Sequence, residues 1–296
     1  MLVKKTNTWA SFLDELRAEV AFLAGHLFRA EWQHLQFESM RNSAPFPHST
    51  VGMVLDFAEN LTCVSQDEVQ AAHWHHTQVT VHPIVTYYKC EVCEKTVTES
   101  LVFISEDRHH DFDAVHKFTE VAIDHLRNTR DIRVENIVQW TDGCASQYKS
   151  KGPFADISCA LEDFGCTFEG NFFGSRHGKG PSDGESAVVK HHAATAIKTG
   201  AAFINDAKDL FDHCIRSTLN KQPSEGCCLH FRRSFFWISS DDIKRNRGRA
   251  VHTLKGTRAL HSVKCVEQHS VLTRQLSCFC AACSSGVGDC QNADVV

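Results

Sequence analysis

Long apolar runs are missing from this sequence. Its 296 residues are 42% hydrophobic and 23% charged, ordinary for a globular protein. No uncharged apolar stretch approaches the roughly 20 residues that a membrane-crossing helix needs, so no membrane partner is expected. A secretory leader is absent as well: Lys4 and Lys5 arrive before an apolar segment can form. The expectation is an intracellular protein, nuclear or cytoplasmic and not secreted. Internal repeats and low-complexity stretches are lacking, which excludes a repeat array. Net positive charge is lacking too; the formal charge of −5 argues against nucleic-acid binding by bulk charge.

That charge is unevenly distributed. Residues 227–274 hold ten Lys/Arg against three Asp/Glu, a local +7 that leaves −12 for the rest. A basic region beside an acidic one suits a metal-dependent enzyme acting on nucleic acid. The 14 cysteines, in a chain expected in a reducing compartment, read as thiols or metal ligands rather than disulfides.

Apolar periodicity sets the organisation. Phe12, Leu16, Val20, Leu23, Leu27 and Phe28 recur at helical spacing over residues 8–41. Pro45 and Pro47 end that pattern. Short β-rich runs follow at 51–57, 78–88 and 99–105, then a helical pattern at 111–127. A strand at 136–142, a helical stretch at 144–164 broken near Gly152-Pro153, a strand at 168–174 and a long helix at 182–204 complete the series. Strands first, then alternating helices and strands, predict an α/β fold, a mixed sheet covered by helices. The division is an N-terminal helical segment (1–45), a core (46–215), a basic β-rich appendage (216–274) and a cysteine-rich tail (275–296).

Two acids end predicted buried strands: Asp56 after Val54-Leu55, and Asp142 after Trp140-Thr141. A third, Asp183, opens a predicted helix. One such Asp is usually a turn residue or helix cap. Three in this order suit a two-metal phosphoryl-transfer site, because hard divalent cations compensate clustered carboxylates.

Leu55-Asp-Phe-Ala-Glu-Asn60, Thr141-Asp-Gly-Cys-Ala-Ser-Gln-Tyr-Lys149 and Phe172-Phe-Gly-Ser-Arg-His-Gly-Lys-Gly-Pro-Ser-Asp-Gly184 resemble the catalytic blocks of eukaryotic cut-and-paste DDE/D transposases and transposon-derived proteins. Trp32 to Phe37 is similar to the helix before the first block. The resemblance covers 31–202 well and the rest loosely. It implies a ribonuclease H-like core in which Asp56, Asp142 and Asp183 hold two Mg²⁺ or Mn²⁺ ions. DNA, as transposon ends and target, would be the partner, with a homo-oligomer as the assembly. Glu185, two residues beyond Asp183, is the alternative third carboxylate. Small residues around Asp183 allow a metal close approach and favour Asp183.

His177 and Lys179, Lys190 (seven residues after Asp183, on the same helix face), and Gln147 and Lys149 are candidate DNA contacts. So are Arg232, Arg233, Lys244, Arg245, Arg247 and Arg249 in the basic segment. Either Cys278, Cys280, Cys283 and Cys290, or Cys90 and Cys93 joined to part of the tail, could supply the four ligands of a structural zinc site, with unliganded thiols as the alternative. His73, His75, His76, His109 and His110 read first as surface histidines. No complete DNA-binding head precedes Asp56, which leads us to expect a fragment or a degenerate copy. The functional expectation is metal-dependent DNA cleavage and strand transfer. Two readings stay open beside it: a nuclease without strand transfer, and a domesticated binding module without catalysis.

Overall fold

A computed structural model describes residues 6–42, 47–63, 77–174, 180–224, 228–285 and 287–295. It is a mixed α/β fold with an N-terminal helix and a cysteine-rich C-terminal segment. The elements are α1 (Trp9–Asn42), β1 (Thr50–Leu55), β2 (Leu61–Thr62), β3 (Gln78–Lys89), β4 (Thr96–Ser105), α2 (Phe112–Asn128), β5 (Asn136–Thr141), α3 (Lys151–Ser158), α4 (Ala160–Phe164), β6 (Thr167–Phe172), α5 (Pro181–Lys198), α6 (Ala207–Arg216), β7 (Phe231–Ile238), β8 (Ser262–Glu267), β9 (Ser270–Arg274) and α7 (Ala281–Ser285).

The sheet runs β7-β4-β3-β1-β5-β6-β8-β9, with β2 pairing β3 off that path. At its centre β1 pairs antiparallel with β3 and parallel with β5. Strands β4 and β3 are antiparallel, and β6 runs parallel to β5. β1 and β5 are buried along nearly their whole length, the signature of strands covered on both faces. Alternate side chains divide into two cores. Met53, Leu55, Leu101 and Phe103 pack with Phe118 and Ile123 of α2 on one face. Val81, Val102 and Ile104 pack with Val189 of α5 and Leu210 of α6 on the other, beside a third cluster around Trp140.

The 216–274 region is not a separate appendage. β7 pairs parallel with β4 on one edge, while β8 pairs antiparallel with β6 on the other. Its aromatic and β-branched residues extend the same sheet. Pro153 begins rather than breaks a helix: it lies in the first turn of α3, where no intrahelical N–H is needed. The long helix predicted over 182–204 ends at Lys198, Gly200 turns the chain in the left-handed region (φ +69°), and α6 follows.

α1 is one 34-residue helix. The apolar stripe read from Phe12 to Phe28 is exposed; only the last turns dock, through Ala30, Gln33, Phe37 and Met40. Phe37 meets Trp140 and Phe173 edge-on at 5.5 and 5.4 Å. Gly174 allows this approach, since a Cβ there would stand 2.7 Å from the Ala30 Cα. The fully buried Gln33 amide donates to the Phe172 carbonyl (2.9 Å) and the Ser277 hydroxyl (2.8 Å), and accepts from the Ser277 N–H (2.9 Å). That network joins α1, the end of β6 and the tail with its polar atoms satisfied.

Candidate functional site

Asp56 and Asp142 leave the sheet side by side. Val54 of β1 stands opposite Trp140 of β5 in a parallel pair, and each acid lies two residues further along its strand. Both carboxylates therefore emerge at one end of neighbouring strands. Asp183 comes from the first turn of α5, which is tied to the same place. The Ser182 hydroxyl donates to the Val54 carbonyl (3.2 Å), and the Lys190 ammonium donates to the Glu59 carbonyl just beyond Asp56.

The electrostatics record this convergence. Burial, then the charges of Asp142 and Asp183, push the Asp56 carboxyl up to about 7, with the Phe57 amide offsetting part. Local geometry fixes the other two acids. Asp142 Oδ1 accepts from the Cys144 N–H at 2.8 Å, in a turn that needs Gly143 at φ +77°. Asp183 Oδ2 accepts from the Gly180 N–H at 2.9 Å, closing the N-terminus of α5. Asp142 and Asp183 thus each hold a turn or cap while acting on the Asp56 carboxyl.

Beneath the acids lies an aromatic floor. Phe57 stacks on His110 (4.3 Å, 17°) and meets His82 edge-on (4.3 Å). His82 Nε2 lies 3.2 Å from the Tyr148 hydroxyl. Burial, with His110 nearby, pushes His82 down to about 3, so its ring is neutral. Burial and then Asp56 and Asp142 hold the Tyr148 phenol well above its ordinary range. Sequence reasoning stopped at its neighbours Gln147 and Lys149. The signal for Tyr148 was an aromatic six residues after Asp142. His82 had none, since a histidine inside a β-run gives no hint of what it faces.

Several sequence-based assignments need correction. Glu185 is not part of the acidic cluster: two residues from Asp183 is about 200° around a helix. Its carboxylate takes a two-pronged ion pair from Arg233 (2.7 and 3.1 Å). Arg232 donates to the Tyr88 hydroxyl and the Leu229 carbonyl. Lys190 holds the loop after β1 instead of projecting to a ligand, and burial lowers its pKa. Lys149 donates to the Arg258 carbonyl (3.2 Å) over the Phe172 ring, and burial pushes it down to about 8.

Arg245, Arg247 and Arg249, expected on DNA, are committed to carboxylates of the core. Arg245 pairs with Asp107 and Asp111, Arg247 with Asp113 and Asp156, and Arg249 with Asp156 and Asp163. The local +7 is largely an internal staple, lashing this segment to α2, α3 and α4. His177 and Lys179, and His73, His75 and His76, lie outside the described residues.

Two cysteine clusters have geometry that could hold a metal ion. In the tail, the sulfurs of Cys278, Cys280, Cys283 and Cys290 lie within 4.8 Å of one another, with Cys278 and Cys290 at 3.8 Å. A tetrahedral zinc–thiolate site has sulfur–sulfur edges of about 3.8 Å. Cys90 and Cys93 do not join the tail. They meet Cys228 and His230, again within 4.8 Å, a set that sequence spacing hides because its halves are some 135 residues apart. All cysteines among the described residues are free.

Fold and site together define a mixed α/β domain with an acidic cluster at the ends of its two central parallel strands. The chain belongs to a family described as a domain of unknown function, DUF8701, whose profile matches residues 33–277. The limits of that match, Gln33 and Ser277, are the residues hydrogen-bonded to each other across the fold. No curated protein and no solved structure matches the chain.

Proposed function

We propose that this chain is a ribonuclease H-like, DDE/D transposase-type enzyme that cleaves and joins DNA, with Asp56, Asp142 and Asp183 holding two Mg²⁺ or Mn²⁺ ions. One observation carries the reading: acids from two strand ends and a helix start converge, so that the charges of Asp142 and Asp183 add to burial in raising the Asp56 carboxyl to about 7. No Lys or Arg among the described residues forms an ion pair with any of the three. The donor set is all hard oxygen, which fits divalent cations of this class. The strand order supports it further, since a central strand flanked by an antiparallel pair on one side and parallel strands on the other is the ribonuclease H arrangement.

When bound, the two ions would activate the attacking oxygen and stabilise the leaving one. The protein's own part is positional. Ser182 and Lys190 hold α5 to β1, so Asp183 keeps its place opposite Asp56. The Gly143 turn aims Asp142. Phe57, His82 and Tyr148 close the site from below, and the neutral His82 adds no competing cation.

With Arg245, Arg247 and Arg249 committed internally, the DNA track shifts. A groove of about 490 Å³ lined by Arg29, Gly174, Arg258 and His261 runs between α1 and the loop before β8. Lys149, seven residues after Asp142, donates to the carbonyl of Arg258 in its lining, and Arg29 and Arg258 are exposed. We assign duplex phosphates to this groove and structural zinc to the four tail cysteines.

The test is a divalent-metal-dependent cleavage and joining assay on labelled duplex DNA. Wild type should nick DNA and join 3′-hydroxyl ends. Asp183→Asn should abolish both reactions, and Glu185→Gln, if folded, should retain them. Loss with Glu185→Gln alone would overturn the assignment of the third acid. Nicking without joining would leave a nuclease.

A further inference from the structure

We propose that Cys90, Cys93, Cys228 and His230 form a Cys₃His zinc site that clamps the β3–β4 turn to the entry of β7. This rests on ligand geometry and not on the catalytic reading above. The four donor atoms come from two distant segments and lie within 4.8 Å of one another. Cys90 Sγ is 3.5 Å from Cys228 Sγ, and Cys93 Sγ is 2.8 Å from His230 Nε2. Tetrahedral zinc with Zn–S of about 2.3 Å and Zn–N of about 2.0 Å has edges of roughly 3.5–3.8 Å. The Cys90–Cys228 edge falls in that range, the Cys93–His230 edge is shorter, and every other donor pair lies within 4.8 Å.

Each half is locally built to present its pair. Cys90 and Cys93 sit in a tight turn: the Glu94 N–H donates to the Cys90 carbonyl (3.0 Å), and the Cys90 N–H donates to the Lys95 carbonyl (2.8 Å). Glu94 adopts φ +63°, a left-handed conformation that non-glycine residues seldom take. Its carboxylate is held there by Lys89 and His48. On the other segment, Cys228 and His230 are two residues apart at the start of an extended run, so both side chains leave the same side. The Thr98 N–H donates to the His230 carbonyl (2.8 Å), fixing the segment where the β4–β7 ladder begins. A Cys90–Cys228 disulfide is the competing use of these thiols. It would need the sulfurs to close from 3.5 Å to about 2.05 Å, and it would leave Cys93 and His230 without a purpose. Zinc uses all four, and the protons of the three thiols pass to solvent on binding.

The clamp has a mechanical consequence. β7 is the edge strand that it pins, and β7 carries Arg233, whose guanidinium grips Glu185 on α5. Zinc at one end of β7 therefore stabilises the strand that holds the helix bearing Asp183.

The test measures zinc in full-length protein purified without chelators. Wild type should carry about two equivalents if the tail also binds. In a Cys278→Ser/Cys283→Ser background the tail cannot contribute, and about one equivalent should remain, with X-ray absorption showing three sulfurs and one nitrogen around it. Adding Cys228→Ser to that background should remove it. Adding His230→Cys instead should retain it while cobalt substitution shows a fourth thiolate. A folded tail variant without zinc, an absorption spectrum lacking the three-sulfur, one-nitrogen shell, zinc that survives Cys228→Ser, or a Cys90–Cys228 disulfide under native conditions would overturn the proposal. The absorption measurement keeps all four ligands intact, so it stands even where Cys228→Ser fails to fold.

Discussion

Glu99→Gln should be among the most damaging conservative substitutions in the protein. Glu99 is fully buried in β4 and joins four elements through one carboxylate. It accepts from the Tyr88 hydroxyl on β3 (2.5 Å), His125 on α2 (3.0 Å), Arg130 just beyond α2 (2.7 Å) and the Ser234 hydroxyl on β7 (2.9 Å). Glutamine keeps the shape and removes the charge, leaving the Arg130 guanidinium, only 7% exposed, without its counter-ion. Removing one partner of a buried pair costs about 3–5 kcal/mol; because the glutamine oxygen still accepts hydrogen bonds, we expect about 3. At roughly 2–4 °C per kcal/mol for a chain of this size, the melting temperature should fall by about 6–12 °C. The pH dependence has a definite sign. Burial works to raise the Glu99 pKa, but the hydrogen bonds from His125, Arg130 and Tyr88 outweigh it and hold it well below the usual carboxylate range. A depressed carboxylate contributes stability that is present above its unfolded value near 4.3 and is lost as pH falls toward the folded one. Thermal melts by circular dichroism from pH 3.5 to 7 should show the wild-type advantage in full above about pH 5 and shrinking below it. A loss under about 1 kcal/mol, or a difference unchanged across that range, would refute the reasoning.

The arginine staple makes a second test. Arg247→Ala leaves Asp113 and Asp156 short of a partner and should cost about 2–4 kcal/mol, read by urea unfolding, while leaving the salt dependence of DNA binding unchanged; a flattened salt slope would return that arginine to the DNA. Replacing Arg29 and Arg258 together by alanine should do the opposite, reducing the slope of log affinity against log salt by about two units at little cost in stability. An unchanged slope would remove DNA from the groove beside α1.

The strands and helices from 50 to 198 were legible because apolar periodicity reports which face of an element is buried. Val51 to Leu55 and Ile137 to Trp140 read as buried strands, and they are. Other features depended on partners that periodicity cannot name. The stripe of α1 from Phe12 to Phe28 is amphipathic by spacing yet stands exposed, since the same pattern serves a core or an unpartnered face. A run such as Arg245 to Arg249 is basic in sequence and neutralised in space, because its carboxylates lie roughly 90–140 residues away. Cys90 and Cys93 announced a ligand pair, but Cys228 and His230 carry no motif of their own. The three acids were singled out by their order and strand-end positions and Tyr148 had a signal in its spacing from Asp142, whereas His82 was visible only once the sheet was assembled.

Anomalous diffraction from a crystal soaked in Mn²⁺ tests the central claim most directly. The account predicts two manganese peaks about 3.5–4 Å apart, bounded by the carboxylates of Asp56, Asp142 and Asp183, with Glu185 still paired to Arg233. Peaks elsewhere, or three acids that bind no ion at millimolar Mn²⁺, would contradict it.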